Sequence, residues 1–351
     1  MGAPKTPYTP YADKHKNITG PGDERPTAEQ VAKDCNANLK SKTVLITGCS
    51  SGIGVETARA LYESGATLFL QARDMPKLEK VIDDIVSNAK VNKDGPRPQA
   101  IEMHLDSLDS VRKGAKDFEQ KSGNKLNILI NNAGVMAAPY GTTKDGFETQ
   151  IGVNHMAHFL LFNLLKDTLA SSAKSSGTTS RVINVSSYGH VFAPPKVTSK
   201  EALSSWNKGE GYEKWMSYGQ AKTANIWMAN EISRRYSKQG IEGISLHPGG
   251  IWTELGRHID PKEIEELGGE AMMKTMKSPA QGAATTVWAA VSPHFEKAEN
   301  CGRYLSDVGE GAEMTEKSEM GGPVYAKHAY DPEGEKALWK VSCEATGVQE
   351  D

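Results

Sequence analysis

The sequence predicts an α/β fold: a single doubly wound domain with a seven-stranded parallel sheet flanked by helices. Three observations predict it. Short apolar and β-branched runs recur along the chain, as strands buried on both faces do. Segments of helical periodicity fall between them, and right-handed crossovers then align successive strands in one parallel sheet. The first of these runs leads into a Gly-rich turn that opens a helix.

Residues 1–40 hold Pro4, Pro7, Pro10, Pro21 and Pro26 with few apolar side chains, and read as an extension draped over the domain. One short helix is expected there, over 27–35. At Thr43 the pattern changes: TVLIT (43–47) is apolar or β-branched throughout and is closed by Gly48. A helix over 53–62 ends near Gly65, and a second strand follows at 67–71. Further helices are expected over 76–88, 107–118, 147–169 and 218–236, with strands at 100–104, 126–130, 181–185 and 244–246. A helix over 279–291 and a short seventh strand at 303–305 complete the set. Residues 253–277 are less regular and carry Met272, Met273 and Met276, so they read as a substrate-covering lid. At ~150 residues per domain the length would allow two domains, but the unbroken alternation over 41–351 reads as one.

Composition excludes several classes of protein. Hydrophobic residues make up 38 %, enough for a large core and too many for a disordered chain. Lys and Arg number 41 against 44 Asp and Glu with no basic block, so neither nucleic acid nor an anionic membrane finds an electrostatic footprint. Cys35, Cys49, Cys301 and Cys343 are scattered with no CxxC pair, the pattern of a reducing compartment. The first residues have no apolar h-region, and HFLLFNLL (158–165) is too short to cross a bilayer. A cytoplasmic protein with no integral membrane segment is therefore expected, and the sequons at Asn17 and Asn184 read as accidental. Met1-Gly2 loosely fits an acylation pattern, but a single acyl chain anchors only weakly.

The turn after the first strand, Thr47-Gly48-Cys49-Ser50-Ser51-Gly52-Ile53-Gly54, has the mechanics of a dinucleotide site. Its glycines let backbone approach a pyrophosphate, and the helix N-terminus offers amide donors and partial positive charge. The spacing is GxxxGxG and not GxGxxG, so only the mechanics match the general fingerprint. A tight turn without a ligand is the plainer reading of such a turn taken alone. The second strand ends Gln71-Ala72-Arg73-Asp74. A neutral residue followed by a guanidinium suits a 2′-phosphate, which favours NADP(H) over NAD(H) unless Asp74 captures Arg73. Tyr218 and Lys222 stand four apart and so emerge on one helix face. An adjacent ammonium favours the phenolate, and bringing a phenol from pKa ~10 to ~7 takes ~4 kcal/mol. Alone, YxxxK also describes an ordinary aromatic and charge on a helix surface.

Taken together these motifs resemble the short-chain dehydrogenase/reductase superfamily over residues 41–310. The matching residues, in the family's order, are TGCSSGIG (47–54), Asp106, Asn131-Asn132-Ala133-Gly134, Asn154, Ser186-Ser187, Tyr218 with Lys222, and Pro248-Gly249 with Thr253. LHPGGIWTEL, YGQAKTANIW and VNHMAHFLL are most similar to the branch of retinol dehydrogenases and WW-domain-containing oxidoreductases, with its fungal relatives. The resemblance implies a Rossmann fold and assigns catalysis to Ser187, Tyr218, Lys222 and Asn154. Tyr218 would exchange a proton with substrate. Lys222 would lower its pKa and hold the nicotinamide ribose, Ser187 would orient the substrate oxygen, and Asn154 would position a relay water. Cofactor contacts would come from Gly48, Ser50, Ser51, Gly52, Ile53, Gly54, Arg73, Asp106, Asn132, Ala133, Tyr218, Lys222, Pro248, Ile251 and Thr253.

One departure is the long stretch between Ser187 and Tyr218. The insert 188–215, with Pro194, Pro195, Trp206 and Trp215, reads as looping over the site to wall an apolar pocket with Phe192, Trp252 and the Met-rich lid. His190 reads as packing rather than as a substrate contact. His155 and His158 have no third ligand at metal spacing, and Cys49 reads as a small residue chosen for fit. The expected function is an NADP(H)-dependent oxidoreductase interconverting a carbonyl and an alcohol on a mostly apolar small molecule. Two alternatives stay open: a non-catalytic dinucleotide-sensing scaffold, and an epimerase or dehydratase using the same Tyr–Lys pair. A homo-oligomer is compatible with the sequence.

Overall fold

The computed structural model describes residues 6–266 and 269–350. After α1 (Ala28–Asp34), strands and helices alternate: β1 (Thr43–Thr47), α2 (Ile53–Glu63), β2 (Thr67–Ala72), α3 (Met75–Ser87), β3 (Gln99–Glu102), α4 (Leu108–Ser122) and β4 (Ile128–Asn131). A one-turn α5 (Thr149–Ile151) runs through a π-helical turn (Gly152–Met156) into α6 (Ala157–Ser176) and β5 (Ser180–Val185). Then come α7 (Lys200–Asn207), α8 (Lys214–Tyr236), β6 (Ile241–Leu246), α9 (Pro261–Glu266), α10 (Gly269–Thr275), α11 (Pro279–Gly282) and α12 (Ala284–Val291). The chain ends with β7 (Tyr304–Ser306), β8 (Gly309–Glu310), β9 (Ala312–Glu313), β10 (Val324–Tyr325) and α13 (Pro332–Thr346).

The main sheet has the order β3-β2-β1-β4-β5-β6-β7-β8 and is parallel up to β7. It has eight strands where seven were expected. The extra strand exists because Asp307 (φ 51°) and Val308 (φ 56°) form a left-handed two-residue turn, which folds β8 back antiparallel on β7. Successive side chains of each central strand feed opposite cores. Val44 and Ile46 join Leu68, Leu70, Ile130 and Ile183 under α2 and α12, whereas Leu45, Phe69, Leu129 and Val182 face Phe118, Phe159 and Phe162. This double burial is why the strands read as unbroken apolar runs.

Other boundaries moved for local reasons. The helix expected over 147–169 starts at Thr149 and continues to Ser176, with a π turn between. Helix α8 starts at Lys214, four residues early, because the Glu213 carboxylate accepts the amides of Trp215 and Met216. The helix over 279–291 divides at Ala283. Helix α13 and the β9–β10 pair were not anticipated, although Asp331 caps α13 and Pro332 opens it. The expected short helix near 27–35 is α1, with Thr27 as its cap.

Phe159 is fully buried edge-to-face with Trp339 of α13, ring centroids 4.8 Å apart. Phe159→Ala should therefore lower unfolding stability by about 3–5 kcal/mol, measured by urea denaturation.

Candidate active site

The C-terminal ends of β1, β4, β5 and β6 lie along one edge of the sheet, where open α/β sheets leave a crevice, and α8 packs on β5 and β6. Gly48 has φ +75°, and a side chain there would lie 2.8 Å from the Ala133 Cα; one at Gly54 would lie 2.3 Å from the Gly48 carbonyl. Gly52 (φ +66°) precedes α2 and offers no side-chain cap, so the first-turn amides of the helix face the crevice. Gln71 serves the turn: its main-chain carbonyl accepts from Gly48 and Cys49, and its Oε1 accepts from Gly48, each at 3.0 Å. Ser50, Ser51 and Ile53 line the turn half-buried. Buried Cys49 donates its thiol to the Ile46 carbonyl, and burial pushes the thiol well above its usual range, which makes it inert.

Sequence reasoning missed a node beneath this turn. The Thr47 hydroxyl accepts the amides of Asn132 and Ala133, both at 3.0 Å, and meets His158 Nε2 at 2.9 Å. His158 Nδ1 must donate to the Asn154 carbonyl (3.0 Å), so its Nε2 accepts from Thr47. Burial holds this imidazole down at about 4, hence neutral. Asn132 Nδ2 donates to the carbonyls of Thr47 and Gly48. The i, i+4 spacing of Asn154 and His158 was the available signal. His155 instead bonds Ser342 of α13 at 2.8 Å.

Asn154 sits in the π turn with its amide spent at both ends: Oδ1 accepts from the Val135 amide (2.8 Å) and Nδ2 donates to the Val135 carbonyl (3.0 Å). It therefore clamps the loop after β4. Lys222 is buried and donates to the Val185 carbonyl at 3.0 Å, with Nζ 5.6 Å from the centroid of the Tyr218 ring. A phenol near 7 is the expectation for Lys222 acting together with a positively charged nicotinamide, and without the nicotinamide the phenol lies higher. Burial pushes Tyr218 up to about 12, against a hydrogen bond with Ser187 that pulls the other way, and burial brings Lys222 down to about 8.

Ser187 Oγ also accepts the Gly189 amide at 3.1 Å, whereas Ser186 turns away and donates to the Lys222 carbonyl at 2.6 Å. His190 donates from Nδ1 to the Ser187 carbonyl (2.7 Å) and accepts the Ala326 amide at Nε2 (3.2 Å). It packs on Tyr304 and is thus a buried strut, as its packing reading required.

Arg73 is exposed, and Asp74 does not capture it: the Asp74 carboxylate caps α3 by accepting the Lys77 amide at 3.0 Å. Asp106 is exposed after β3. Past β6, the Thr253 methyl stands 3.4 Å from where a Gly52 side chain would begin, and Ile251 packs beside Ile53 and Gly282. Pro248 is half-buried before them. Glu254 joins the rim unforeseen, ion-paired with Lys77 at 2.6 Å and hydrogen-bonded to Ser51. The insert is corrected in one respect. Trp206 packs inward with Phe147, Leu203 and Val197, away from the crevice, while Phe192 and Trp252 stay largely exposed.

Residues 42–200 match the model of the short chain dehydrogenase family. The short-chain dehydrogenase/reductase prx1 of Penicillium roqueforti is 44 % identical over 343 residues, 97 % of this chain and 96 % of that protein. Retinol dehydrogenase 13 of Homo sapiens is 36 % identical over 320 residues, 89 % of this chain and 87 % of its own length. Among solved structures, the RhlG/NADP active-site complex of Pseudomonas aeruginosa aligns with a TM-score of 0.56 at 25 % identity, covering 74 % of this chain and 92 % of that one. The chain belongs to the short-chain dehydrogenase/reductase family of oxidoreductases. Within it, the protein falls in the retinol dehydrogenase branch.

Because a methyl at Gly54 would press on a backbone carbonyl that cannot yield, Gly54→Ala should cost about 1–3 kcal/mol of stability, read by thermal or urea unfolding.

Proposed function

We propose that the protein is an NADP(H)-dependent oxidoreductase that interconverts a carbonyl and an alcohol on a mostly apolar small molecule. The observation that carries this reading is the buried, hydrogen-bonded pair of Ser187 and Tyr218 with the Lys222 ammonium beside the phenol ring. A dinucleotide fits the crevice on three counts: a turn whose glycines stand where side chains would collide, an uncapped helix N-terminus, and a buried Asn132 Oδ1 with no hydrogen-bond partner among the described residues. Gly48, Ser50, Ser51, Gly52, Ile53 and Gly54 would hold the pyrophosphate, with Asp106, Asn132 and Ala133 on the adenosine side. Pro248, Ile251 and Thr253 would hold the nicotinamide side. When bound, the nicotinamide supplies or accepts the hydride.

The chain's own residues then handle the proton. Burial keeps Tyr218 a neutral phenol, which donates its proton to the carbonyl oxygen in reduction and is reprotonated through the relay to Lys222. In oxidation the same relay first removes that proton, and the phenolate accepts one from the alcohol. Ser187 orients that oxygen and meets the charge that develops on it. Lys222 favours the phenolate when the proton leaves, and holds the ribose. Asn154 serves the relay to Lys222 by fixing the β4 loop, since both ends of its side chain are engaged. Arg73, free of Asp74, reads the 2′-phosphate. Exposed Phe192, Trp252 and Met273 suit an apolar substrate under a lid formed by 253–266 and 269–277. A cytoplasmic setting agrees with Cys35, Cys49, Cys301 and Cys343 standing outside any disulfide among the described residues.

Tyr218→Phe should abolish turnover, a loss of about a thousandfold or more, while NADPH affinity measured by fluorescence titration stays near the parent value; near-normal turnover would defeat the assignment. Arg73→Ala should weaken NADPH by about tenfold or more with NADH almost unaffected, and equal losses would show that the 2′-phosphate is read elsewhere.

A further inference from the structure

The N-terminal segment is built into the wall of the crevice. Arg25 is almost wholly buried, its side chain 2 % exposed, and its guanidinium has four acceptors. Nε donates to Asp23 Oδ1 at 2.8 Å, and Nη2 donates to the Gly20 carbonyl at 3.1 Å. The other two bonds leave the segment altogether. Nη1 donates to the Thr275 carbonyl at 2.7 Å and Nη2 to the Met276 carbonyl at 2.5 Å, at the point where α10 ends. Gln281 of α11 closes the arrangement: its Nε2 donates to the carbonyls of Asp23 and Arg25, and its Oε1 accepts the Gly22 amide.

The next residue carries the link into the crevice. The Lys277 amide donates to the Gly250 carbonyl at 2.8 Å, and Lys277 bridges Ile251 as a strand would. Its buried ammonium pairs with Asp307 at 2.6 Å, and Gly249, at φ +102°, folds so closely over its stem that a side chain there would meet Lys277 Cδ at 2.7 Å. Met276 lies under Gly250, 2.8 Å from where a Gly250 side chain would begin. A buried charge that satisfies two helix-end carbonyls by bidentate donation fixes their position far more tightly than apolar packing does.

We propose that Arg25 is a positioning residue for the active site: it fixes the end of α10 at the base of the lid and, through Met276 and Lys277, the 248–253 wall. The inference rests on the functional reading above for the role of that wall, and on the hydrogen bonds alone for the latch itself.

The test compares the full-length protein with Arg25→Met and with Arg25→Lys, which keeps a cation beside Asp23 but lacks the fork that reaches both carbonyls. Hydrogen exchange is followed by mass spectrometry, and turnover is measured with NADPH and an apolar aryl ketone. In both variants, amides of 269–277 and 248–253 should exchange about tenfold faster while β4 and β5 stay unchanged. The KM for the ketone should rise about tenfold with kcat altered less than about twofold, and millimolar guanidinium should restore the KM of Arg25→Met. Unchanged exchange over 269–277, a uniform rise across the sheet, or faster lid exchange with an unchanged KM would each overturn the proposal. Exchange is read without turnover, so loss of the latch and loss of the redox reading are separable: the latter falls with Tyr218→Phe alone.

Discussion

A buried ammonium has to find an acceptor, and the acceptor chosen by Lys222 sets the geometry of everything around it. The Val185 carbonyl at the end of β5 takes the Lys222 bond and also one from Asn225 Nδ2, one turn along the same helix. Asn184 Nδ2 donates to the Asn225 carbonyl, and Asn131 Nδ2 donates to Asn184 Oδ1. Three amide side chains on β4, β5 and α8 thus form a polar seam through an otherwise apolar layer. With Ser186 bonded to the Lys222 carbonyl, the helix cannot slide or rotate against the sheet. The phenol of Tyr218 is thereby delivered to Ser187 by the fold and not by its own contacts.

The opposite wall is organised by a second connected set. Thr47, His158, Asn154 and Val135 link the end of β1, the π turn and the β4 loop through side-chain bonds of ordinary length. The π turn has a structural role in this set: it holds the Asn154 carbonyl against His158 Nδ1 and presents the Asn154 amide to the loop. The two sets meet at Gly134, where a side chain would lie 3.0 Å from Asn154 Oδ1 and 3.4 Å from Lys222 Nζ. Only glycine lets the two walls approach so closely.

Much of this was legible in the sequence because it follows from short-range rules. Strands buried on both faces announce themselves as apolar runs, and Tyr218 and Lys222 announce a shared face by their spacing. The features that were not legible depend on distance or on exceptions. Nothing in Asp307-Val308 marks a left-handed turn, since glycine or asparagine normally does so and valine resists it. A π turn keeps helical hydrophobicity and differs by one inserted residue, which periodicity over 147–169 cannot register. Gln71 read only as a neutral residue before Arg73, because its bonds to the Gly48 turn arise from the parallel register of β1 and β2. Arg25 read only as part of the Pro-rich extension because the Thr275 and Met276 carbonyls it holds lie some 250 residues further on. Trp206 looked like a pocket wall because an aromatic in a long insert gives no sign of which way it faces.

The His190 strut has a consequence for how the protein comes into being. Ser187 is held through His190 by the amide of Ala326, and the carbonyl of His190 is held by His328. A nascent chain that has already made both walls of the crevice still lacks this brace until the ribosome has passed 328. The brace on Ser187 is therefore added late in synthesis, after β5, the strand that leads into the serine, has already been made.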